Sequence, residues 1–201
     1  MSVPFDQSQT RVNLMRAFAG ESLARNRYTF ASALAKEKQL FLVARAFQYT
    51  ADQEKEHAEI FCDLLSDLNG QSIRIDGAYP VNTGSTVLDQ LRDARHNEFE
   101  EFETVYPAFA EAAREEGFGQ IGDAFADIAK IERTHGQRFG QFAAALEDGT
   151  LFRSECPVAW LCLNCGHIHF GTEAPAACPV CHHDQGYFIR SSLVPFLVRP
   201  E

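Results

Sequence analysis

The chain has 201 residues, 45% of them hydrophobic, and a net charge of −10, enough for one mid-sized domain plus a small one. Of that charge, −9 falls in the first 150 residues, and so acidic a stretch argues against nucleic acid as a partner, because phosphates would be repelled. No apolar run approaches the ~20 residues that span a bilayer, and the opening "MSVPFDQSQTRVNLM" lacks the basic start and apolar stretch of a secretory signal, so a cytoplasmic protein with no membrane partner is expected.

From residue 8 to 148 the chain carries only two prolines, Pro80 and Pro107, and repeats its apolar positions at helical spacing. Four helices are expected, at about 9–37, 39–68, 85–116 and 118–147. The stretch "LNGQSIRIDGAYPVNTGS" breaks the pattern with turn-forming residues and joins the second helix to the third. It is long enough to cross the bundle, whereas the short links elsewhere make neighbours antiparallel. The fold class is therefore an all-α four-helix bundle with one long crossover. "EEGFGQ" around Gly117 supplies the last turn between helices. Pro107 should kink the third helix or free a backbone carbonyl.

Helical phase sorts the charged residues of the bundle. In the second helix Phe47, Thr50, Ala51, Glu54, His57, Ala58, Phe61, Leu64 and Leu65 share the inward stripe, while Asp52, Lys55 and Glu56 lie off it. The fourth helix repeats the theme with Phe125, Ile128, Glu132, His135, Phe139 and Phe142. In the first, Leu14, Phe18, Glu21, Arg25 and Tyr28 share a face; in the third, Leu88, Leu91, Glu98, Glu101 or Phe102, and Val105 do. Five carboxylates (Glu21, Glu54, Glu98, Glu101, Glu132) and two imidazoles would thus meet inside. Ionised and unpaired, each carboxylate would cost several kcal/mol, and two divalent cations would offset most of that charge.

The spacing supports a metal pair. Residues three apart lie on one helix face, so each Glu-x-x-His presents an oxygen and a nitrogen to one point. Glu21 precedes Glu54 by 33 residues and Glu98 precedes Glu132 by 34, as in two duplicated helix pairs. Ferritin-like di-iron and di-manganese carboxylate proteins use this arrangement. A single such pair is common on solvated helices; two in phase with the core, each preceded by an inward Glu, are much rarer. Glu101 is either a ligand or a rim residue. Tyr28 and Tyr106 read as core tyrosines whose hydroxyls need partners, with carboxylates available. His96 reads as a solvated helix residue and Cys62 as a small core residue.

After Gly149 the texture changes: residues 151–201 hold five of the eight prolines, the single Trp and five of the six cysteines. A loop-rich unit this small usually needs a staple, and the division expected is 1–150 and 151–201. Cys162-x-x-Cys165 and Cys178-x-x-Cys181 form two knuckles that can close a tetrahedral four-thiolate site. Disulfides are the competing reading, disfavoured in a reducing compartment. Zinc and iron both suit four thiolates, and the spacing does not choose between them. Gly166 suits the tight turn after the first knuckle; His182 stands at the corresponding place after the second. Cys156 reads as a linker thiol.

"AFAGESLARNRY" (17–28), "ADQEKEHA" (51–58), "EFEEFETVYPAFA" (98–110), "IERTHGQRF" (131–139) and the cysteine knuckles together resemble the rubrerythrin family. The resemblance covers nearly the whole chain, a ferritin-like bundle first and a rubredoxin-like domain second. It implies a di-iron centre bridged by Glu54 and Glu132, with Glu21 terminal on one iron and Glu98 with His135 on the other. The first iron would take His57 when reduced and move toward Glu101 when oxidised. Tyr28 and Tyr106 match family tyrosines near the carboxylates, and the four cysteines would hold a third iron. The implied activity is reduction of hydrogen peroxide to water in oxidative-stress defence. Electrons would come from a rubredoxin or an NAD(P)H-dependent reductase, in a homodimer paired head to tail. The competing functions are ferroxidase and iron handling, which need no appended thiolate site, and a non-redox module with zinc in the cysteines. His182 and the apolar tail "SSLVPFLVRPE" depart from the family pattern.

Overall fold

The computed structural model describes residues 3–194. Its helices are α1 (Gln9–Glu37), α2 (Phe41–Asp63), α3 (Val87–Glu100), α4 (Tyr106–Glu115) and α5 (Gly119–Glu147). α3 and α4 are one bundle helix interrupted by a π turn, Glu101–Val105. α1 packs along α2, and α3 and α4 pack along α5. The second helix is shorter than its apolar pattern suggested, because the chain past Asp63 tightens into a 3-10 turn, Ser66–Leu68, before the crossover.

Local chemistry sets the helix ends. Ser8 caps α1 by accepting from the Arg11 N–H at 3.1 Å, and Thr86 caps α3 by accepting from the Asp89 N–H at 3.0 Å. A second cap on α1 comes from far along the chain. The Glu116 carboxylate accepts from the Gln9 and Thr10 N–H groups at 2.8 Å each and from the Thr10 hydroxyl at 2.6 Å. These are donors that a helix start otherwise leaves unpaired.

The inward stripes are as expected on α2 and α5: Phe47, Thr50, Ala51, Glu54, His57, Ala58 and Phe61 are buried, as are Phe125, Ile128, Glu132, His135 and Phe139. Asp52, Lys55, Glu56 and His96 are exposed. Three expectations need correction. Arg25 is exposed, because four residues beyond Glu21 the 3.6-residue period has already turned it past the seam that Ala24 and Tyr28 hold. Cys62 is exposed on α2, one residue past the seam held by Phe61. Cys156 lies in a strand rather than a linker.

Two apolar clusters bracket a polar middle. One holds Tyr28, Phe47, Leu91 and Phe139; the other holds Leu14, Phe61, Tyr106 and Phe125. Each buried aromatic or Leu contributes about 1.5–3 kcal/mol, so the clusters fix the helices in the register that brings the acids together.

Beyond α5, strands β1 (Arg153–Cys162), β2 (Ile168–Glu173) and β3 (Phe188–Arg190) form an antiparallel sheet in the order β2-β1-β3. Trp160, Cys162, Cys178 and Phe188 form its core. The sheet unit sits on the α1–α2 turn of its own bundle. Phe41 and Tyr187 stack with centroids 4.0 Å apart, and the Arg45 guanidinium donates to the Leu163 carbonyl at 3.0 Å. A Cβ on Gly186 would stand 1.8 Å from the Gln39 carbonyl oxygen, so only glycine allows this approach. Most of the apolar C-terminal tail, from residue 195, lies outside the described residues.

Candidate metal centres

Four helices deliver the polar side chains to the middle of the bundle. Two groups of donor atoms form there, each within 4.8 Å: Glu21, Glu54, His57 and Glu132, and Glu54, Glu98, Glu132 and His135. Glu54 and Glu132 belong to both. Glu54 places one oxygen 3.0 Å from His57 Nδ1 and the other 2.9 Å from His135 Nδ1. Glu132 does the same at 3.0 and 2.8 Å. Each of these carboxylates spans both imidazoles, whose rings stack 5.6 Å apart.

These separations suit metal ligation. Neighbouring ligands set at right angles around an ion with bonds of about 2.1 Å lie roughly 3 Å apart. Glu21 Oε2, Glu54 Oε1, Glu98 Oε2, both Glu132 oxygens and His135 Nδ1 are buried without a hydrogen-bond partner. Buried polar atoms are nearly always paired, and here the orphans converge on two points. The residues therefore fit a pair of divalent cations.

The electrostatics of the bare side chains agree. Burial, reinforced by the neighbouring carboxylates, raises Glu21, Glu98 and Glu101 well above the ordinary range. Burial would also raise Glu54, but the His135 and His57 imidazoles beside it bring it down to about 2. For the histidines burial works downward and is outweighed by Glu132 and Glu54. His57 rises to about 9, and His135, with Glu98 as well, to about 12. Without cations the cluster balances its charge with protons.

Further residues support this cluster. The Tyr28 hydroxyl donates to Glu98 Oε1 and the Tyr106 hydroxyl to Glu21 Oε1, so each outer carboxylate is held by a tyrosine from a facing helix. His135 Nε2 lies 3.2 Å from Gln53 Oε1. Arg138 donates to that same oxygen at 3.2 Å and to the Thr50 hydroxyl at 2.7 Å. With its Nε2–H committed to an amide oxygen, His135 keeps Nδ1 on the carboxylate side, where it could serve a cation as a ligand. Sequence reading missed Gln53 and Arg138; both flank the apolar stripe, where a polar residue looks merely solvated.

Glu101 falls in neither group. It opens the π turn and is half-buried, whereas the other six are at most 5% exposed. The turn itself has a sequence trace. Glu21 and Tyr28 on α1 are seven residues apart, while Glu98 and Tyr106 on the interrupted helix are eight apart. The π turn absorbs the extra residue, closed by the Tyr106 N–H bonding to the Glu101 carbonyl, and Tyr106 still reaches the polar layer.

In the sheet unit the four knuckle cysteines bring their sulfurs within 4.8 Å of one another. Cys162 and Cys181 are 3.7 Å apart, and Cys165 and Cys178 are 3.6 Å apart. A tetrahedron with metal–sulfur bonds of about 2.3 Å has edges of roughly 3.8 Å. All four are free thiols. The knuckles share one backbone pattern. The Gly166 and His182 N–H groups bond to the Cys162 and Cys178 carbonyls at 2.9 Å, and the Cys162 and Cys178 N–H groups bond to the His167 and His183 carbonyls at 2.8 Å. Gly166 has φ +80° and His182 φ +60°, so the histidine occupies the left-handed position that glycine fills in the first knuckle. The His183 N–H takes Cys181 down to about 5.

Comparison with known proteins agrees with this geometry. The family model described as rubrerythrin matches residues 13–143, and that of the rubrerythrin rubredoxin-like domain matches 160–189. Rubrerythrin of Clostridium perfringens is 43% identical, over 90% of this chain and 93% of its own. Rubrerythrin of Porphyromonas gingivalis is also 43% identical, over 90% and 89%. The solved structure of nigerythrin in its fully reduced, all-ferrous state superposes with a TM-score of 0.61 at 26% identity, covering 92% of this chain and 91% of that one.

Proposed function

Because the chain belongs to the rubrerythrin family of di-iron oxidoreductases with a four-cysteine rubredoxin-like site, we propose that it is a peroxidase that reduces hydrogen peroxide to water. The observation that carries this reading is the spanning of both imidazoles by Glu54 and by Glu132, which would let the two carboxylates serve two adjacent cations. Glu21 and His57 complete one position; Glu98 and His135 complete the other. Glu101 lies beside the first as a spare oxygen ligand. Cys162, Cys165, Cys178 and Cys181 hold a third iron, and residues 1–150 and 151–201 are the corresponding two domains.

A ferrous pair bound there supplies two electrons, one per ion, and Lewis acidity toward the O–O bond. The balance is H2O2 + 2 e− + 2 H+ giving two waters. The chain's own groups handle the protons. Tyr28 and Tyr106 hold hydrogen bonds on Glu98 and Glu21, and Glu101, unlike the six more deeply buried residues of the cluster, is partly open to solvent. A protonated carboxyl at that window can hand its proton to a departing oxygen. An iron held by the four cysteines would supply a one-electron relay, with a rubredoxin or an NAD(P)H-dependent reductase as the donor. The working form is a cytoplasmic homodimer, paired head to tail.

The test is stopped-flow mixing of the reduced iron-loaded protein with hydrogen peroxide and, separately, with oxygen. Faster oxidation by peroxide is expected. Faster oxidation by oxygen would replace the peroxidase with a ferroxidase.

A further inference from the structure

Between α1, the crossover, the π turn and α4 lies a half-open cleft of about 540 Å³. Hydrogen peroxide has two heavy atoms and needs little more room than two waters at roughly 30 Å³ each. The cleft falls instead in the ~300–1,000 Å³ range of sites for organic ligands. Its position links it to the chemistry, since Glu101 and Tyr106 both line it. A ligand seated against Glu101 and Tyr106 would have one end at the edge of the polar layer.

The walls are apolar where they could have been wet: Ala17, Gly20, Tyr79, Pro80, Val105 and Phe109. A Cβ on Gly20 would sit 3.7 Å from the Tyr79 ring and 4.0 Å from Glu101 Oε1, so the bare glycine keeps the space between roof and floor open. The roof is fastened. Arg16 Nε donates to the Asp76 carbonyl at 2.9 Å, its guanidinium pairs with the Asp76 carboxylate, and the Tyr79 hydroxyl donates to the Arg16 carbonyl at 3.1 Å. The charges lining the cleft are Asp76, Glu100, Glu101 and the one cation Arg16, which Asp76 and Asn13 already occupy. An anionic tail would be repelled.

We propose that this cleft binds the organic portion of small uncharged hydroperoxides and that the chain reduces them; the inference rests on the peroxidase reading above. The reaction is ROOH + 2 e− + 2 H+ giving ROH and H2O. The O–O bond breaks, one oxygen leaves as water, and the other keeps R and gains a proton. The two electrons come from the external one-electron carrier, and an iron held by the four cysteines would relay them.

Two measurements on the iron-loaded full chain test it. In steady-state turnover, cumene hydroperoxide should be reduced. Ala108→Trp, at an exposed position on the cleft's edge, should lower the ratio of kcat/KM for cumene hydroperoxide to that for hydrogen peroxide at least tenfold. In calorimetric titration, the unreactive product cumyl alcohol should bind saturably to the wild type and at least tenfold more weakly to Ala108→Trp. Turnover of hydrogen peroxide without turnover of cumene hydroperoxide overturns the inference and leaves the peroxidase reading standing. Absence of saturable alcohol binding, or equal binding to both proteins, overturns it in the same way. Failure to turn over either peroxide overturns the peroxidase reading itself.

Discussion

Gln53 Oε1 accepts from His135 Nε2 at 3.2 Å while also accepting from Arg138. One amide oxygen thus sets the ring's tautomer and is itself held by a partly buried cation. Loss of such an outer partner typically weakens metal binding about 10–100-fold. Gln53→Ala should therefore release metal to a chelator at a correspondingly lower chelator concentration while circular dichroism stays helical. Unchanged metal affinity would mean that His135 is oriented by packing alone.

Tyr28 and Tyr106 donate to Glu98 and Glu21 in a fully buried layer. Replacing either with Phe keeps the ring and strands a carboxylate oxygen. A buried acceptor left unsatisfied costs about 1–3 kcal/mol, so Tyr28→Phe and Tyr106→Phe should each lower denaturant stability by that order. The peroxide reaction should slow as well, and stability curves with stopped-flow traces on the same preparations check both effects.

Glu116 ties the end of α4 to the start of α1. Its slight burial would raise its pKa, but the Thr10 hydroxyl and the Gln9 and Thr10 N–H groups outweigh that and lower it from 4.5. A lowered folded-state value means that the stabilisation is complete above the unfolded pKa and disappears as pH falls through the folded one. Glu116→Ala should cost about 1 kcal/mol at pH 7, as for other lost caps. The gap between variant and wild type should shrink as the pH is taken below about 4, and urea melts at several pH values would show it.

The paired knuckles make a fourth prediction. His182 holds φ +60° and Gly166 φ +80°, in a region that costs a residue with a Cβ roughly 1–2 kcal/mol. Histidine tolerates it better than most. Gly166→Ala should lower the temperature at which the thiolate-bound metal is lost, and His182→Gly should raise it or leave it unchanged. A fall on His182→Gly would show that the imidazole makes a contact that outweighs the backbone strain.

The polar layer was legible because burial and helical period both constrain it. Glu54 with His57 and Glu132 with His135 sit on otherwise largely apolar stripes, and the second pair repeats the Glu-x-x-His spacing of the first. Single residues at the margin of a stripe were not legible. Arg25 and Cys62 lie within one residue of the seam, where a 100° step per residue moves a side chain from core to solvent. Glu101 depends on the π turn, which was visible only as the eight-residue spacing of Glu98 and Tyr106 against seven for Glu21 and Tyr28. Glu116 was out of reach of any local pattern, because its partners are more than a hundred residues away. Gln53 needed the three-dimensional position of His135 to acquire meaning.

The contact of Gly186 with the Gln39 carbonyl leaves no slack for even a methyl group. The sheet unit therefore packs directly against the α1–α2 turn of its own chain. Any side chain at 186 would have to push the sheet unit, and the four cysteines with it, away from that turn.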